Sequence, residues 1–267
     1  MEILQSIILG LVQGLTEFLP VSSSGHLILI KKLFGIDQEQ FGLTYDIALH
    51  FATLIAVFIV FWPDIVALLK KPIQKLTGLL IIATIPAALV GVFFDDYIEQ
   101  ISQSGGFLGI AFIITAALLF FSQKTKKKDK TTELMTYKDA AVIGLMQGVA
   151  VMPGISRSGS TTSAGLFMGV EKESSMRFAF LMSIPIIMGS AVLGVKDIIS
   201  TPEPINWATI IAGMISAGVS GYFAVKFMLN FFKKRSLNVF AIYVGILGIL
   251  VLVDQLFFQK FFTVFLI

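Results

Sequence analysis

Long apolar stretches dominate the pattern of hydrophobic and polar positions along the chain. Six of these stretches approach the length of about 20 residues that a helix needs to cross the ~30 Å hydrocarbon core of a bilayer. They are 42–62, 74–94, 106–122, 174–196, 206–226 and 237–257. No soluble domain lies between them. We therefore predict an all-α polytopic membrane protein with six transmembrane helices in one membrane domain, residues 1–267.

Two further regions, 2–34 and 137–169, are apolar at both ends but interrupted by Pro, Gly and Ser in the middle. Each half is too short to cross a bilayer, and a broken backbone at membrane depth is tolerated only where protein or a watery cavity surrounds it. We predict two re-entrant helix–loop–helix hairpins. The alternative is one kinked spanning helix for each region, which would place Glu17 or Arg157 near lipid at a cost of at least ~2.5 kcal/mol.

The two broken regions resemble each other. A shift of 134 residues aligns LGLVQGLTEFLPVSSSGH (9–26) with IGLMQGVAVMPGISRSGS (143–160), and seven of the eighteen positions are identical. The same shift aligns the six spans, which indicates two repeat halves, about 1–123 and 137–260, joined by a basic loop, 123–136. Because each half has three spans, an odd number, we predict an inverted-topology repeat.

Composition and charge narrow the class of protein. The chain is 56% hydrophobic and 14% charged, which excludes an ordinary soluble domain. It has no cysteine and two histidines, so we expect neither disulfides nor a His-rich zinc site. Lysines collect in short loops, above all KTKKKDK (124–130), whereas DDYIEQ (95–100) lies on the other predicted face. The lysine-rich face is then cytoplasmic, the first hairpin and both termini lie outside, and nucleic acid is not an expected partner.

The first hairpin carries polar groups suited to chemistry. Gln13 and Glu17 are spaced i,i+4 and share one helix face. Ser22, Ser23 and Ser24 follow the break, where hydroxyls and free N–H groups at a helix start can bind an anion. His26 lies on the first turn of that helix. The alternative is that these serines only cap the helix and that His26 is a satisfied core histidine.

The second hairpin places Arg157 among the hydroxyls of Ser156, Ser158 and Thr161, again at a helix start. A guanidinium binds phosphate bidentately and remains charged at any relevant pH. Inside a membrane it needs an anionic partner, which is either Glu17 or a phosphate of a ligand. A structural Arg157–Glu17 pair is thus an alternative to a phosphate site, and the two do not exclude each other.

A carboxylate beside a phosphate implies a further role for Glu17. It acts as a base, is protonated, or holds a divalent cation that bridges to the phosphates. Gln13 would complete a set of hard oxygen ligands, which Mg²⁺ or Ca²⁺ prefers. Asp46 and His50 form another i,i+4 pair on the first span, and we interpret them as interfacial polar residues with a local contact.

The motifs QGLTEFLPVSSSGH and PGISRSGST resemble those of the undecaprenyl-diphosphate phosphatase family of the bacitracin-resistance type, and the resemblance runs nearly end to end. It implies removal of the terminal phosphate of undecaprenyl diphosphate at the outer face of the bacterial plasma membrane, with divalent-cation dependence. The chain departs from the family pattern at Gln13, where glutamate also occurs. Glu17 is then the only intramembrane carboxylate of the motif.

From the residues and this resemblance we expect a catalytic group comprising Glu17, Ser23, His26 and Arg157. The expected phosphate-binding residues are Ser22, Ser24, Ser156, Arg157, Ser158 and Thr161, and Glu17 and Gln13 are the candidate metal ligands. The nucleophile remains open among Ser23, His26 and water. The expected partners are a polyprenyl diphosphate and membrane lipids, and a homodimer is one compatible assembly. The rival function is a polyprenyl-phosphate transporter or flippase, since inverted repeats with broken helices are common in transporters.

Overall fold

The computed structural model describes residues 2–36, 41–125, 129–200 and 206–262, and within these ranges every regular element is helical. A 3₁₀ turn at Thr132–Leu134 and a π-helical turn at Asp254–Phe258 accompany the α-helices. The helices are α1 Glu2–Phe18, α2 Ser23–Phe34, α3 Leu43–Val60, α4 Trp62–Lys70, α5 Lys75–Phe93, α6 Asp95–Ser104, α7 Leu108–Gln123, α8 Tyr137–Val149, α9 Arg157–Phe167, α10 Lys172–Ser200, α11 Trp207–Lys234 and α12 Asn238–Val253.

Several of these helices have the length and composition of membrane spans. Four qualify outright, over Lys75–Phe93, Lys172–Val192, Trp207–Phe232 and Asn238–Phe258. A fifth qualifies if Thr44–Val60 and Trp62–Lys70, which are bent by 76° at Phe61, count as one span. The prediction of an all-helical, polytopic membrane protein is confirmed. The predicted span at 106–122 forms α7, whose 16 residues extend about 24 Å and so fall short of the full hydrocarbon thickness.

Both broken regions form a pair of helices around a short non-helical segment, and the two pairs begin their second helix in the same way. Ser22 and Ser156 are the N-cap residues of α2 and α9. Each hydroxyl accepts a hydrogen bond from the backbone N–H three residues later, which satisfies one of the free donors of the first turn. The caps lie 134 residues apart, as the aligned repeat predicts.

The first helix of each broken region packs on a helix from the opposite half of the chain. Helix α1 lies along α11, and α8 lies along α5. Glycine permits both contacts: a Cβ on Gly10 would stand 2.3 Å from the carbonyl oxygen of Gly213, and one on Gly144 would stand 2.6 Å from that of Ala83. The small residues repeated at these positions therefore serve close helix packing.

The two loops between the paired helices meet each other over α7. The backbone N–H of Gly154 donates to Ser24 Oγ at 3.4 Å, and the N–H of Ser156 donates to Thr115 Oγ1 of α7 at 3.0 Å. Gly25 lies so close to the Phe112 ring that an added Cβ would stand 2.7 Å from it. The two Ser/Gly-rich loops are therefore in contact, as an expected catalytic group drawn from both of them requires.

Candidate active site

The Glu17 carboxylate lies at the centre of the polar groups, near the C-terminal end of α1, and only 6% of the residue is exposed. Its Oε2 accepts hydrogen bonds from Ser23 Oγ at 2.5 Å and from Gln13 Nε2 at 3.0 Å. Its Oε1 accepts from Nη2 of Arg157, which crosses from the other broken region. A buried carboxylate is tolerated when its charge is paired and its lone pairs are bonded, and both conditions hold here.

The Arg157–Glu17 ion pair joins the two halves of the repeat. Arg157 is the first residue of α9, so its backbone lies at the positive end of a helix dipole and its guanidinium lies beside a carboxylate. The structural pair that the sequence left as an alternative is therefore formed. The guanidinium nonetheless lines the same cavity as Glu17, with 18% of its side chain exposed, and has access to a ligand.

His50 of α3 belongs to this cluster, contrary to our interpretation from the sequence. Its Nδ1 lies 2.9 Å from Gln13 Nε2 and 3.3 Å from Glu17 Oε2. Asp46, one turn earlier, is not its partner, because Asp46 instead accepts two hydrogen bonds from the buried ammonium of Lys31 at 2.7 and 2.8 Å. The predicted local contact is wrong because each side chain reaches a different neighbouring helix. Two polar residues at helical spacing in an otherwise apolar span were the available signal.

A cavity of about 400 Å³ opens beside this cluster. The hydroxyl-bearing residues Ser22, Ser23, Ser24 and Ser156 line it, together with His50 and Arg157. Much of the remaining wall is apolar, formed by residues including Ile28, Phe41, Ile47, Ile98, Ile155, Ile186 and Ile187. A cavity with both apolar side chains and hydroxyl-bearing or charged side chains in its wall matches an amphiphilic ligand with an anionic head.

Ser22 adopts a conformation that L-residues rarely occupy, with φ of 73°. Such a backbone costs about 1–3 kcal/mol and persists only where the surroundings enforce it. Its hydroxyl caps α2 and lies 3.3 Å from Ser24 Oγ, so the turn brings successive serine residues to the cavity wall. The strain is therefore located where the loop presents hydroxyls and the start of a helix to the same space.

Two of the predicted phosphate-binding residues, Ser158 and Thr161, lie outside the cavity. Ser158 Oγ donates to the carbonyl oxygen of Leu19 at 3.0 Å, and Thr161 Oγ1 donates to that of Arg157 at 2.7 Å. Neither residue lines the cavity. Ser158 joins the two loops, and Thr161 bonds back to its own helix, so both hydroxyls are engaged by backbone.

His26, predicted as catalytic, is also placed outside the cavity. Its Nδ1 lies 2.7 Å from the carbonyl oxygen of Ser22, and its Nε2 lies 2.9 Å from the Tyr243 hydroxyl of α12. The imidazole stacks on the Tyr243 ring and contacts the edge of Phe112. With both ring nitrogens engaged, His26 holds the strained Ser22 turn in place, which is close to the core-histidine alternative that the sequence left open.

Glu17 and Gln13 carry oxygen atoms that could hold a divalent cation. Gln13 is fully buried, and its Oε1 has no hydrogen-bond partner, which leaves one unsatisfied oxygen ligand beside the carboxylate. Carboxylate and amide oxygens suit hard cations. Within the described ranges, no group of three His, Cys, Asp or Glu side chains is arranged to hold a metal. A metal site at Glu17 would therefore need the amide oxygen of Gln13 as a further ligand.

Comparison with known proteins shows which family the chain belongs to. A family model described as bacitracin resistance protein BacA matches residues 6–250. An undecaprenyl-diphosphatase of Halothermothrix orenii is 42% identical over 256 residues, covering 95% of this chain and 98% of the relative. One from Carboxydothermus hydrogenoformans is 45% identical over 258 residues, covering 96% and 98%. One from Methanosphaera stadtmanae is 38% identical over 275 residues, covering 95% and 98%. The chain therefore belongs to the BacA bacitracin-resistance family.

Proposed function

We propose that the protein hydrolyses undecaprenyl diphosphate to undecaprenyl phosphate and inorganic phosphate, at the outer face of the bacterial plasma membrane. The proposal rests on the contact between Ser23 Oγ and Glu17 Oε2 at 2.5 Å, beside Arg157 and in an apolar-walled cavity. A hydroxyl bonded to a carboxylate beside a cation is an arrangement suited to phosphoryl transfer. The relatives named as undecaprenyl-diphosphatases support the substrate.

In the first step, Ser23 Oγ attacks the terminal phosphorus and its proton passes to Glu17 Oε2. The bond from that phosphorus to the bridging oxygen breaks, and undecaprenyl phosphate leaves with the bonding electrons. Glu17 then releases its proton to water. In the second step, water attacks the phosphoserine, Glu17 accepts the water proton and returns it to Ser23 Oγ, and inorganic phosphate leaves.

Arg157 stabilises the negative charge that develops on the transferred phosphoryl group. The first turns of α2 and α9 add the positive ends of two helix dipoles, with Ser22, Ser24 and Ser156 as hydroxyl partners. Ser158 and Thr161 contribute indirectly, because their hydrogen bonds hold Arg157 and its loop. His26 acts as a positioning residue through the carbonyl of Ser22.

The charge on the cavity wall supports a divalent cation as cofactor. Among the side chains that the structure describes, two carboxylates, Glu17 and Asp46, and two cations, Lys31 and Arg157, line the space, and their formal charges cancel. A diphosphate ester brings at least about two negative charges. A divalent cation, held by Glu17 and Gln13, would neutralise phosphate charge when bound.

The direct test is phosphate release from purified protein supplied with undecaprenyl diphosphate in detergent micelles. We expect release that is lost with a chelator and restored by added divalent cation. The Glu17→Ala variant, which lacks the proposed base, serves as the inactive control. If the wild-type protein releases no phosphate yet moves the lipid between leaflets of a vesicle, the transporter alternative holds and the hydrolase assignment is wrong.

We further propose six spans and two re-entrant hairpins in an inverted repeat, with the active site open to the outside. The matched N-caps and the reciprocal packing of α1 on α11 and α8 on α5 support this arrangement. Single cysteines replacing the exposed residues Tyr97 and Leu134 should react with impermeant maleimide from opposite sides of the membrane. Labelling of both positions from one side would contradict the inverted repeat.

A further inference from the structure

Three side chains beside the proposed nucleophile present donor atoms to one small volume. Glu17 Oε2 lies 3.3 Å from His50 Nδ1, and the terminal amide of Gln13 lies 3.0 Å from that oxygen and 2.9 Å from that nitrogen. The three groups thus form a nearly equilateral triangle. They come from α1 and α3, two helices whose packing fixes their separation.

The size of this triangle matches one face of a metal coordination sphere. Ligands about 2.1 Å from a small divalent cation, at right angles to one another, are about 3.0 Å apart. Atoms of Gln13, Glu17 and His50 would occupy three such positions. The Gln13 amide must first rotate by about 180°, so that its oxygen takes the place of its nitrogen. The remaining positions would be left for water and phosphate oxygens.

The orientation of the Gln13 amide in the structure is the one expected without a cation. Its nitrogen faces both the carboxylate and the imidazole, because an oxygen there would stand 3.0 Å from Glu17 Oε2 and repel it. The oxygen consequently points to a buried place where it has no hydrogen-bond partner. A divalent cation bound here would remove the repulsion, and the Gln13 oxygen would then be satisfied as one of its ligands.

We propose that His50 is a metal ligand in this protein and that the site therefore prefers a first-row transition dication such as Mn²⁺ over Ca²⁺. This inference rests on the proposed function, because the cation takes part in that reaction. Imidazole nitrogen suits transition metals, whereas Ca²⁺ takes almost only oxygen ligands at longer distances. The side chain of His50 is 30% exposed and lines the cavity, so a cation and its waters have access to it.

The test measures metal binding by the intact protein, independently of turnover. Protein freed of metal by chelation and dialysis is titrated with Mn²⁺, and bound ion is followed by electron paramagnetic resonance. Pulsed measurements then detect the nitrogen nucleus of a coordinated imidazole. Because the chain has only two histidines, any such coupling belongs to His26 or His50. His26→Gln is the matched control, since that imidazole lies outside the cavity.

We expect wild-type protein and His26→Gln to bind Mn²⁺ with an imidazole nitrogen coupling. His50→Gln should lose the coupling and bind Mn²⁺ at least about tenfold more weakly. Its affinity for Ca²⁺, measured by competition, should change by less than about threefold, because glutamine retains an oxygen donor. Thermal unfolding of each variant checks that its fold is retained.

The inference is overturned if wild-type protein binds no Mn²⁺, if the coupling persists in His50→Gln, or if that variant loses Ca²⁺ and Mn²⁺ binding equally. Phosphate release is measured on the same wild-type preparation with saturating cation. Release without imidazole coordination removes the role of His50 and leaves the hydrolase assignment intact. If the imidazole coupling is present but no phosphate is released, the proposed metal site is supported and the hydrolase assignment is wrong.

Discussion

Arg157→Ala is expected to lower kcat/KM for phosphate release by about 10³-fold or more, the range seen when a charge-stabilising arginine is lost in phosphoryl transfer. The substitution removes the guanidinium that faces the cavity and also leaves Glu17 without its cationic partner. Both effects slow the same reaction. The transferred phosphoryl group loses its counter-charge, and the electrostatic surroundings of the base, Glu17, change. Phosphate release from undecaprenyl diphosphate, with saturating divalent cation, provides the measurement.

Arg157→Lys separates the charge of this residue from its geometry. An ammonium retains the positive charge but cannot bind a carboxylate and a phosphate through one planar fork. We expect an intermediate loss, of about 10- to 100-fold, smaller than that of the alanine variant. Thermal unfolding of both variants reports whether the buried carboxylate has destabilised the fold. Phosphate release at the wild-type rate by Arg157→Ala would refute the proposed site.

Ser23→Ala is expected to reduce kcat by at least about 10³-fold, because it removes the proposed nucleophile and leaves only the binding and charge stabilisation of the site. Wild-type protein, quenched with acid during turnover of substrate labelled on the terminal phosphate, should carry the label on Ser23. The variant should carry none.

Ser190→Ala is a suitable control for the loss of a serine hydroxyl from the cavity wall. Ser190 lines the same cavity, but its hydroxyl donates to the carbonyl oxygen of Ile187 in its own helix. We expect phosphate release close to that of the wild type. If Ser23→Ala also retains most of its activity and wild-type protein carries no label on Ser23, then Ser23 is not the nucleophile.

Much of the architecture could be predicted from the sequence because it repeats. The 134-residue offset aligned Ser22 with Ser156, and these two residues cap equivalent helices. The charge pattern was similarly informative, since an intramembrane arginine requires an anion and the first hairpin supplied Glu17. Those requirements left two partners open for Arg157, Glu17 and a ligand phosphate, and the structure contains the pair with Glu17.

Contacts between distant helices could not be predicted in the same way. His26 is held by Tyr243, a residue 217 positions away, and nothing local to either residue indicates the contact. His50 enters the site because α3 packs beside α1, whereas its i,i+4 spacing to Asp46 favoured a pair within one helix. Helix α4, which follows α3 after a bend of 76°, was likewise not predicted, because most of its residues lie beyond the predicted span 42–62.

The packing of α1 on α11 constrains how the protein is made. Between Phe18 and Trp207 lie 188 residues, all of which leave the ribosome before α11 can cover the first helix. Until then, the face of α1 that carries Gly10 and Gly14 lacks the helix against which it packs. The packing of the first helix of the site is thus completed only after most of the chain has been made.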